Sequence, residues 1–366
     1  GRSNVTSINI YLTLLCLVCQ YAKYVILVLM LDEAKKLINE ATNIVVIQAE
    51  NPDGDSLGSS VALEEILGDM GKNVTMYCAI DMPKYLRYVD GWDRVINDFP
   101  YKADLAIIVD TAAEALIDKC LRVPGVRPFL ESHPVLVLDH HGEDNDEEPQ
   151  NDLSFPHKFV LSPSAAATGE LIYELAIKAG WAVPEPAAAA LYCSIASDTL
   201  GLTTQAVTAR TYQIMADLVS AGAKPHVLET KRRDYMKKPA EILAYKGELI
   251  GRVEYHLDQQ LATIHIPWED IQKYSDRYNP SVLVLDEMRL VEGVVVACAI
   301  KTYPDGKLTG KLRCNLPVAA HIAGYFGGGG HEFAAGFKVN EGYDTIMREL
   351  LDATQKAIGE YHAKPL

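Results

Sequence analysis

Acidic side chains follow three short apolar stretches of this sequence. They are Asp53, Asp55, Asp110 and Asp139, and the last is followed directly by His140 and His141. Short apolar runs are typical of buried strands, and ligands of open α/β sheets bind where the strands end. A single strand-end Asp more often stabilises a turn. Three such positions with paired histidines instead predict one crevice that does chemistry.

The mixture of carboxylate and imidazole predicts a transition-metal site. Manganese, iron, cobalt and zinc accept this donor set better than calcium does. Neighbouring residues of an extended strand point to opposite faces. One histidine is therefore expected to ligate a metal and the other to contact substrate. Asp198, after a predicted helix, is a fourth acidic residue that could take part.

A calcium loop of the EF-hand type is an alternative for the first acidic segment. Asp53, Asp55, Gly58 and Glu64 fall at its first, third, sixth and twelfth positions. Leu57, at the fifth position, cannot ligate calcium. A strand also precedes the segment where an EF-hand has a helix, so this interpretation is disfavoured.

A second motif near the C-terminus predicts phosphate binding. Four consecutive glycines, 327–330, precede His331. Glycine lets backbone N–H groups approach a phosphate without a Cβ atom in the way. A flexible linker is the alternative, but the sequence continues at once into a predicted strand, which favours a packed loop.

The elements that would position these residues alternate between strand and helix from residue 30 onward. This pattern predicts an α/β protein whose N-terminal domain has a mostly parallel sheet with helices on both faces, followed by a smaller α/β C-terminal domain. A hairpin is predicted over 251–266 and another around the Pro-Asp-Gly turn at 304–306. The expected divisions are an apolar extension over 1–29, a catalytic domain over 30–222, a basic linker over 223–240 and a substrate-binding domain over 241–366.

The N-terminal apolar run, 8–31, is long enough to span a bilayer. Three interpretations stay open: residues upstream of a true start at Met30, a membrane anchor, or a buried extra helix. A CxxC motif, Cys16 and Cys19, lies inside this run without a second pair, which favours chance over a zinc or redox site.

The overall composition fits a soluble enzyme and limits its partners. The chain has 366 residues, 49% of them hydrophobic and 23% charged, with a net charge of −15. Such acidity disfavours a protein that coats duplex DNA. It is compatible with a small phosphorylated substrate, because a bound cation can dominate a site. The seven cysteines form no disulfide framework, which favours a cytoplasmic protein.

The order of these motifs resembles the DHH phosphoesterase family. The resemblance runs from residue 30 onward and includes NPDGD, the Asp-Thr at 110–111, DHH, the Asp-Thr at 198–199 and GGGGHEFAAG. The last string is similar to the DHH-associated C-terminal domain. In length the chain is closest to the nanoRNase and pAp phosphatase group, which are bifunctional oligoribonucleases.

The resemblance implies a role for each matching residue in two-metal hydrolysis with Mn²⁺. Asp53 would bind the first metal and Asp55 the second, and Asp110 would bridge both. His140 and Asp198 would complete the second metal site, His141 would contact the phosphate, and Asp139 would orient the histidines. The residues implied to bind substrate are Arg313, Gly328, Gly329, Gly330 and His331.

One position departs from the family pattern. Ala49 stands where the family usually has a histidine that ligates the first metal. A methyl group cannot ligate, so the first metal site is expected to be weak. Gln48 and Glu50 are expected to point away, although a distorted loop could bring Glu50 in.

The resemblance therefore implies a hydrolase acting on short oligoribonucleotides or linear dinucleotides, and on pAp. The alternatives are a cyclic-dinucleotide phosphodiesterase and, because of Ala49, a nucleotide- or RNA-binding protein with weakened catalysis. A homodimer is compatible with the resemblance, and association with membranes is expected only if 8–31 is an anchor.

Overall fold

The structure, a computed structural model, describes residues 25–142, 151–275 and 278–363. Residues 1–24, with Cys16 and Cys19 and most of the apolar run, lie outside this part. The chain divides into two compact units, the first ending at Lys237 and the second beginning at Lys238. Within the stretch predicted as a linker, residues Pro225–Tyr235 form a helix that buries Leu228 in the core of the first unit.

The first unit is built on a parallel sheet of five strands, in the order β2-β1-β3-β4-β5. The strands are β1 (Asn43–Ile47), β2 (Asn73–Tyr77), β3 (Leu105–Val109), β4 (Val135–Asp139) and β5 (Lys158–Leu161). Both faces of the sheet are covered: Ile44 and Val46 of β1 belong to one apolar core, and Val45 and Ile47 to the other. The predicted parallel sheet with helices on both faces is confirmed.

The helices of the first unit begin with residues 25–40, here α1. They continue with α2 (Gly54–Asp69), α3 (Asp118–Arg122), α4 (Val126–Ser132), α5 (Thr168–Ala179), α6 (Glu185–Asp198), α7 (Ala209–Ser220) and α8 (Pro225–Tyr235). Leu31, Ala34 and Ile38 of α1 are buried in the core. No helix of the described residues is long and apolar enough to cross a membrane.

Helix α2 begins at Gly54, whereas the helical periodicity of the sequence predicts a helix only over 59–70. Asp53 is the N-cap: its Oδ1 accepts hydrogen bonds from the backbone N–H groups of Asp55 and Ser56, and Ser56 Oγ accepts from Asp53 N. This reciprocal capping box satisfies N–H groups that a helix start leaves unpaired. Asp55 is therefore held in the first helical turn and not in a loop. Strand β1 precedes the cap, which excludes the EF-hand interpretation.

The second unit is built on a mixed sheet of six strands, in the order β10-β11-β9-β8-β7-β6. The strands are β6 (Glu254–His256), β7 (Leu261–Ile266), β8 (Val296–Thr302), β9 (Leu308–Cys314), β10 (Gly329–His331) and β11 (Ala334–Val339). The helices are α9 (Ala240–Ile250), α10 (Trp268–Tyr274), α11 (Pro280–Arg289), α12 (Ala319–Tyr325) and α13 (Tyr343–Ala363). Both predicted hairpins form, β6 with β7 and β8 with β9.

Candidate active site

The ends of the strands and two helices of the first unit bring five predicted site residues together. Two groups of ligand atoms each lie within 4.8 Å of one another and could hold a metal ion. The groups are Asp55, His140 and Asp198, and Asp110, His140 and His141. The convergence follows from topology, because β3 and β4 are parallel neighbours and end side by side.

His140 lies at the centre of both groups. Its Nε2 atom is 3.2 Å from Asp198 Oδ2, 3.5 Å from Asp55 Oδ2 and 3.6 Å from Asp110 Oδ1. This nitrogen is buried and has no hydrogen-bond partner among the described residues. The other ring nitrogen, Nδ1, lies 3.3 Å from the carbonyl oxygen of Ala165. In the neutral ring, a proton held on Nδ1 by that carbonyl leaves the lone pair of Nε2 for a metal ion, which would take the place of the second proton.

The carboxylates around His140 dominate its electrostatics. Burial lowers the pKa of His140, but the neighbouring Asp198 and Asp55 outweigh burial and raise it to about 9. Burial also raises the pKa of Asp110 well above its usual value, together with repulsion from Asp55 and other nearby carboxylates. Acids crowded in this way favour a bound cation, which relieves their repulsion. The residues present therefore fit a divalent metal ion.

Asp110 is held in a backbone conformation that few side chains adopt. Its φ is 63°, in the left-handed region, directly after β3. Thr168 Oγ1 donates a hydrogen bond of 3.1 Å to Asp110 Oδ1, which helps to fix the position of this carboxylate. Strain of this kind persists only where the surroundings impose it, and it clusters at functional sites.

Asp55 is the most completely fixed carboxylate of the site. Its Oδ1 accepts hydrogen bonds from Ser194 Oγ (2.5 Å), Ser59 Oγ (3.1 Å) and Gly169 N (3.2 Å), and its Oδ2 accepts from Thr168 N (2.7 Å). The two backbone donors are at the N-terminus of α5, where a negative charge is stabilised. These bonds hold Asp55 Oδ2 towards His140.

The hydroxyl of Ser194 is a supporting group that the sequence pattern does not predict. We expect Ser194→Ala to weaken Mn²⁺ binding roughly 10- to 100-fold, the usual cost of losing a group that orients a metal ligand. The free energy of unfolding should fall by about 1–3 kcal/mol, because Asp55 loses a buried donor. Mn²⁺ titration and thermal unfolding would measure the two effects.

Ser60→Ala is the matched control for that variant. Ser60 is buried, as Ser194 is, but it lies on α2. Its hydroxyl donates to the Ser56 carbonyl and not to Asp55. It should leave Mn²⁺ affinity unchanged. Equal Mn²⁺ affinity in the Ser194→Ala and wild-type proteins would show that this hydroxyl does not position Asp55.

Asp139 and His141 form a pair at the rim of the site. Asp139 Oδ1 lies 2.8 Å from His141 Nδ1 and also accepts a hydrogen bond from His141 N at 3.1 Å. This bond is the main cause of a raised pKa of His141. The side chain of Asp139 is 3% exposed and that of His141 is 60% exposed. A buried acid thus orients an imidazole that solvent or substrate can reach.

The structure does not bring Asp53 into either metal group. The carboxylate oxygen Oδ1 of Asp53 caps α2 instead. Ala49 is buried and offers only a methyl group. The carboxylate of Glu50 accepts a hydrogen bond from the backbone of Lys119, away from the site, which does not favour its entry as a substitute ligand. Gln48 is buried, and within the described part of the chain its amide has no partner.

The glycine-rich motif of the second unit is shaped largely by packing. A methyl group on Gly328 would collide with the carbonyl oxygen of Gly336, and one on Gly330 would lie 2.7 Å from that of Ala334. Gly330 also has a φ of 141°, and it pairs with Ala335 in the β10–β11 ladder. A methyl group on Gly329, by contrast, meets no atom within 4 Å.

Gly328 and Gly329 should respond differently to replacement by alanine. Gly328→Ala should lower the free energy of unfolding by about 1–3 kcal/mol, because β11 must move to admit the methyl group. Gly329→Ala should leave stability nearly unchanged, so that any loss of substrate binding in this variant reports a direct contact. Chemical denaturation of both variants checks the first claim, and equal stability of the two would contradict it.

The parallel sheet, with acids and histidines clustered at its strand ends, is an arrangement that could hold a catalytic metal ion. The comparison with protein families agrees: residues 43–195 match the model of the DHH family, N-terminal domain. The resemblance to this family that the sequence motifs predict is thereby confirmed.

Two bacterial relatives and one solved structure resemble this chain over most of its length. It is 28% identical over 316 residues to the bifunctional oligoribonuclease and PAP phosphatase NrnA of Thermus thermophilus, covering 84% of this chain and 89% of the relative. It is 23% identical to the protein of the same name from Bacillus subtilis, covering 88% and 97%. An exopolyphosphatase-related protein from Bacteroides fragilis has the same fold, with a TM-score of 0.74, 22% identity and coverage of 91% and 96%. A phosphoesterase class is supported.

Proposed function

We propose that this protein is a metal-dependent phosphoesterase that hydrolyses short oligoribonucleotides and linear dinucleotides, with pAp as a further substrate. The observation that carries the proposal is His140 Nε2, a buried nitrogen that lies 3.2–3.6 Å from three carboxylate oxygens and has no hydrogen-bond partner among the described residues. The names of the relatives from Thermus thermophilus and Bacillus subtilis support this choice of substrates.

In this proposal Asp55, His140 and Asp198 would hold a metal ion, with Asp110 close to the same His140 nitrogen, and Mn²⁺ suits their mixed oxygen and nitrogen donors. A bound divalent ion polarises a phosphoryl oxygen and lowers the pKa of bound water. The protein contributes fixed ligands, since carboxylates held by several hydrogen bonds need little rearrangement when the metal arrives.

His141 has a separate role in the proposed mechanism. Asp139 holds its Nδ1 atom, so the opposite nitrogen, Nε2, is directed away from that acid. The raised pKa of His141 favours a protonated ring that can donate to a phosphate oxygen. A donor fixed in advance stabilises charge that develops on that oxygen in the transition state.

Ala49 supports a second candidate, a nucleotide- or RNA-binding protein with weakened catalysis. The described site gathers ligands around His140, whereas position 49 has only a methyl group and Oδ1 of Asp53 caps α2. A cyclic-dinucleotide phosphodiesterase is a further alternative within the same class. A cyclic-di-AMP phosphodiesterase of Listeria monocytogenes is 26% identical over 318 residues, covering 81% of this chain and 45% of that protein.

A substrate panel separates these candidates. The purified full-length protein with Mn²⁺ would be incubated with pApA, pAp or cyclic di-AMP, and the products resolved by chromatography. The proposal predicts mononucleotides from pApA and AMP from pAp. Binding of pApA without turnover would favour the second candidate, and turnover of cyclic di-AMP alone would favour the third.

The second unit is proposed as the substrate-binding domain, with Arg313 and His331 as its predicted contacts. A homodimer and a cytoplasmic location also stay predictions. Size-exclusion chromatography with light scattering would test the dimer.

A further inference from the structure

Helix α6 ends at the candidate metal ligand Asp198 in a backbone motif that favours glycine. The N–H of Leu200 donates a hydrogen bond of 3.2 Å to the carbonyl of Ser197. The N–H of Gly201 donates one of 2.8 Å to the carbonyl of Ala196. These two bonds define a Schellman motif, in which the residue after the C-cap is left-handed and is usually glycine. Here that residue is Leu200, with a φ of 49°.

This backbone conformation is costly for leucine. A left-handed residue that carries a Cβ atom is strained, whereas glycine adopts the same conformation freely. Leu202 is also left-handed, with a φ of 69°, but its side chain packs against the apolar core of the first unit. The side chain of Leu200, by contrast, is 75% exposed. Packing in the core therefore explains the leucine at position 202 and does not explain the one at position 200.

The loop that carries Leu200 is held in place by the buried Thr199. The Oγ1 atom of Thr199 donates to the Ile195 carbonyl at 2.6 Å and accepts from the N–H of Leu202 at 3.0 Å. The carbonyl of Thr199 accepts from the N–H of Thr203 at 2.8 Å. An exposed side chain on a backbone fixed in this way can bind a ligand at a low cost in entropy.

Leu200 is also close to the candidate metal ligands. Asp198 Oδ2 lies 3.2 Å from His140 Nε2. Leu200 follows Asp198 by two residues, so that their Cα atoms are at most about 7.6 Å apart. A single exposed leucine on an ordinary backbone needs no explanation. Leu200 differs because it is strained and lies next to a metal site, and strain of this kind clusters at functional sites.

We propose that Leu200 packs against a base of the nucleotide that is bound next to the metal ion, and so favours nucleotides over other phosphate esters. This inference rests on the proposed function. Every nucleobase has an apolar face, so the contact would depend little on which base is present. Packing of leucine on that face removes apolar surface of both groups from water, which is favourable.

The test compares pApA with an abasic analogue, in which both bases are replaced by hydrogen. The informative variant is Leu200→Asn, because asparagine tolerates a left-handed backbone but presents a polar amide. Its kcat/KM for pApA with Mn²⁺ should fall roughly five- to tenfold, as expected if half of a leucine side chain is buried on binding. Its kcat/KM for the abasic analogue should not change. Leu200→Met keeps the apolar surface and should stay close to the wild-type values.

Ile177→Asn is the matched control for Leu200→Asn. Ile177 is an exposed apolar residue near the C-terminal end of α5 in the same unit, and its replacement should leave hydrolysis of pApA unchanged. Equal kcat/KM for pApA in the wild-type and Leu200→Asn proteins would overturn the inference. An equal loss for pApA and the abasic analogue would also overturn it.

Leu200→Gly separates the effect on binding from an effect on folding. This variant should raise the midpoint of thermal unfolding by roughly 2–4 °C, because glycine relieves the strain. It should nevertheless lower kcat/KM for pApA as Leu200→Asn does. A Leu200→Gly protein that is less stable than the wild type would show that leucine suits this backbone, which would contradict the inference.

Calorimetry with the full-length, EDTA-treated protein distinguishes this inference from the proposed function. The wild-type protein should bind pApA better than the abasic analogue, and Leu200→Asn should reduce this preference. If that result holds but neither ligand is hydrolysed with Mn²⁺, the phosphoesterase is contradicted and the contact at Leu200 is supported. Mn²⁺-dependent hydrolysis of both ligands, with the same preference in the wild-type and Leu200→Asn proteins, would do the reverse.

Discussion

Replacement of His140 by alanine is expected to abolish metal-dependent hydrolysis of pApA, with a loss of at least about a thousandfold. Metal ions contribute several kcal/mol to stabilising the transition state of phosphoryl transfer, and each 1.36 kcal/mol is a factor of ten in rate. His140 is the one residue shared by both groups of candidate ligands among the described residues. Rates with saturating and limiting Mn²⁺, together with a metal-binding isotherm, would measure the effect.

His226→Ala is the control for His140→Ala. His226 is exposed on α8 of the same unit, and its replacement should leave both hydrolysis and Mn²⁺ binding at wild-type values. Thermal unfolding would confirm that the His140→Ala protein is folded. A folded His140→Ala protein with wild-type activity would show that this is not the site of metal-dependent hydrolysis.

Ala49→His is expected to strengthen binding of a further Mn²⁺ ion by at least about tenfold. That is the lower end of the effects seen even for groups that only orient a ligand. The physical reason is that an imidazole at this position would supply a nitrogen ligand where Ala49 offers only a methyl group. Titration with Mn²⁺ would show one tight site in the wild-type protein and two in the variant.

Ala49→Leu tests whether the effect comes from ligation or from size. Ala49 is buried, and its carbonyl accepts a hydrogen bond from the thiol of Cys78, so a larger side chain must displace its neighbours in both variants. Only the histidine variant should gain metal affinity. If the wild-type protein already binds two Mn²⁺ ions as tightly as Ala49→His does, the proposed defect of the first site is wrong.

The framework of the site could be predicted because its determinants are local. The strands β3 and β4 are continuous apolar runs that end at an acid, and a parallel sheet places such ends side by side. That reasoning identified Asp110, Asp139 and His140 as neighbours. The hairpin of β8 and β9 could be predicted separately, from the Pro-Asp-Gly residues of its turn.

The supporting hydrogen bonds could not be predicted in the same way. Ser194 and Thr168 donate to Asp55 across 139 and 113 residues of sequence, and a serine on a largely apolar helix has no local signal for this contact. The start of α2 could not be predicted for a different reason. Its first turn is Gly-Asp-Ser, which lacks apolar periodicity, and the capping box of Asp53 and Ser56 decides where the helix begins.

The glycine motif shows how a functional pattern can also have a packing cause. The sequence interpretation assigns all the glycines to phosphate binding, whereas Gly328 and Gly330 are required by the close approach of β11. Gly329 lacks this constraint. Sequence alone does not separate the two causes, because both exclude a Cβ atom.

The most direct test of the central claim is hydrolysis of pApA by the EDTA-treated full-length protein before and after Mn²⁺ is restored. Release of mononucleotides only in the presence of Mn²⁺, and its absence in the His140→Ala protein under the same conditions, is the result that this account predicts. Failure of the wild-type protein to hydrolyse pApA at any Mn²⁺ concentration, or equal hydrolysis in the presence of EDTA, would contradict it.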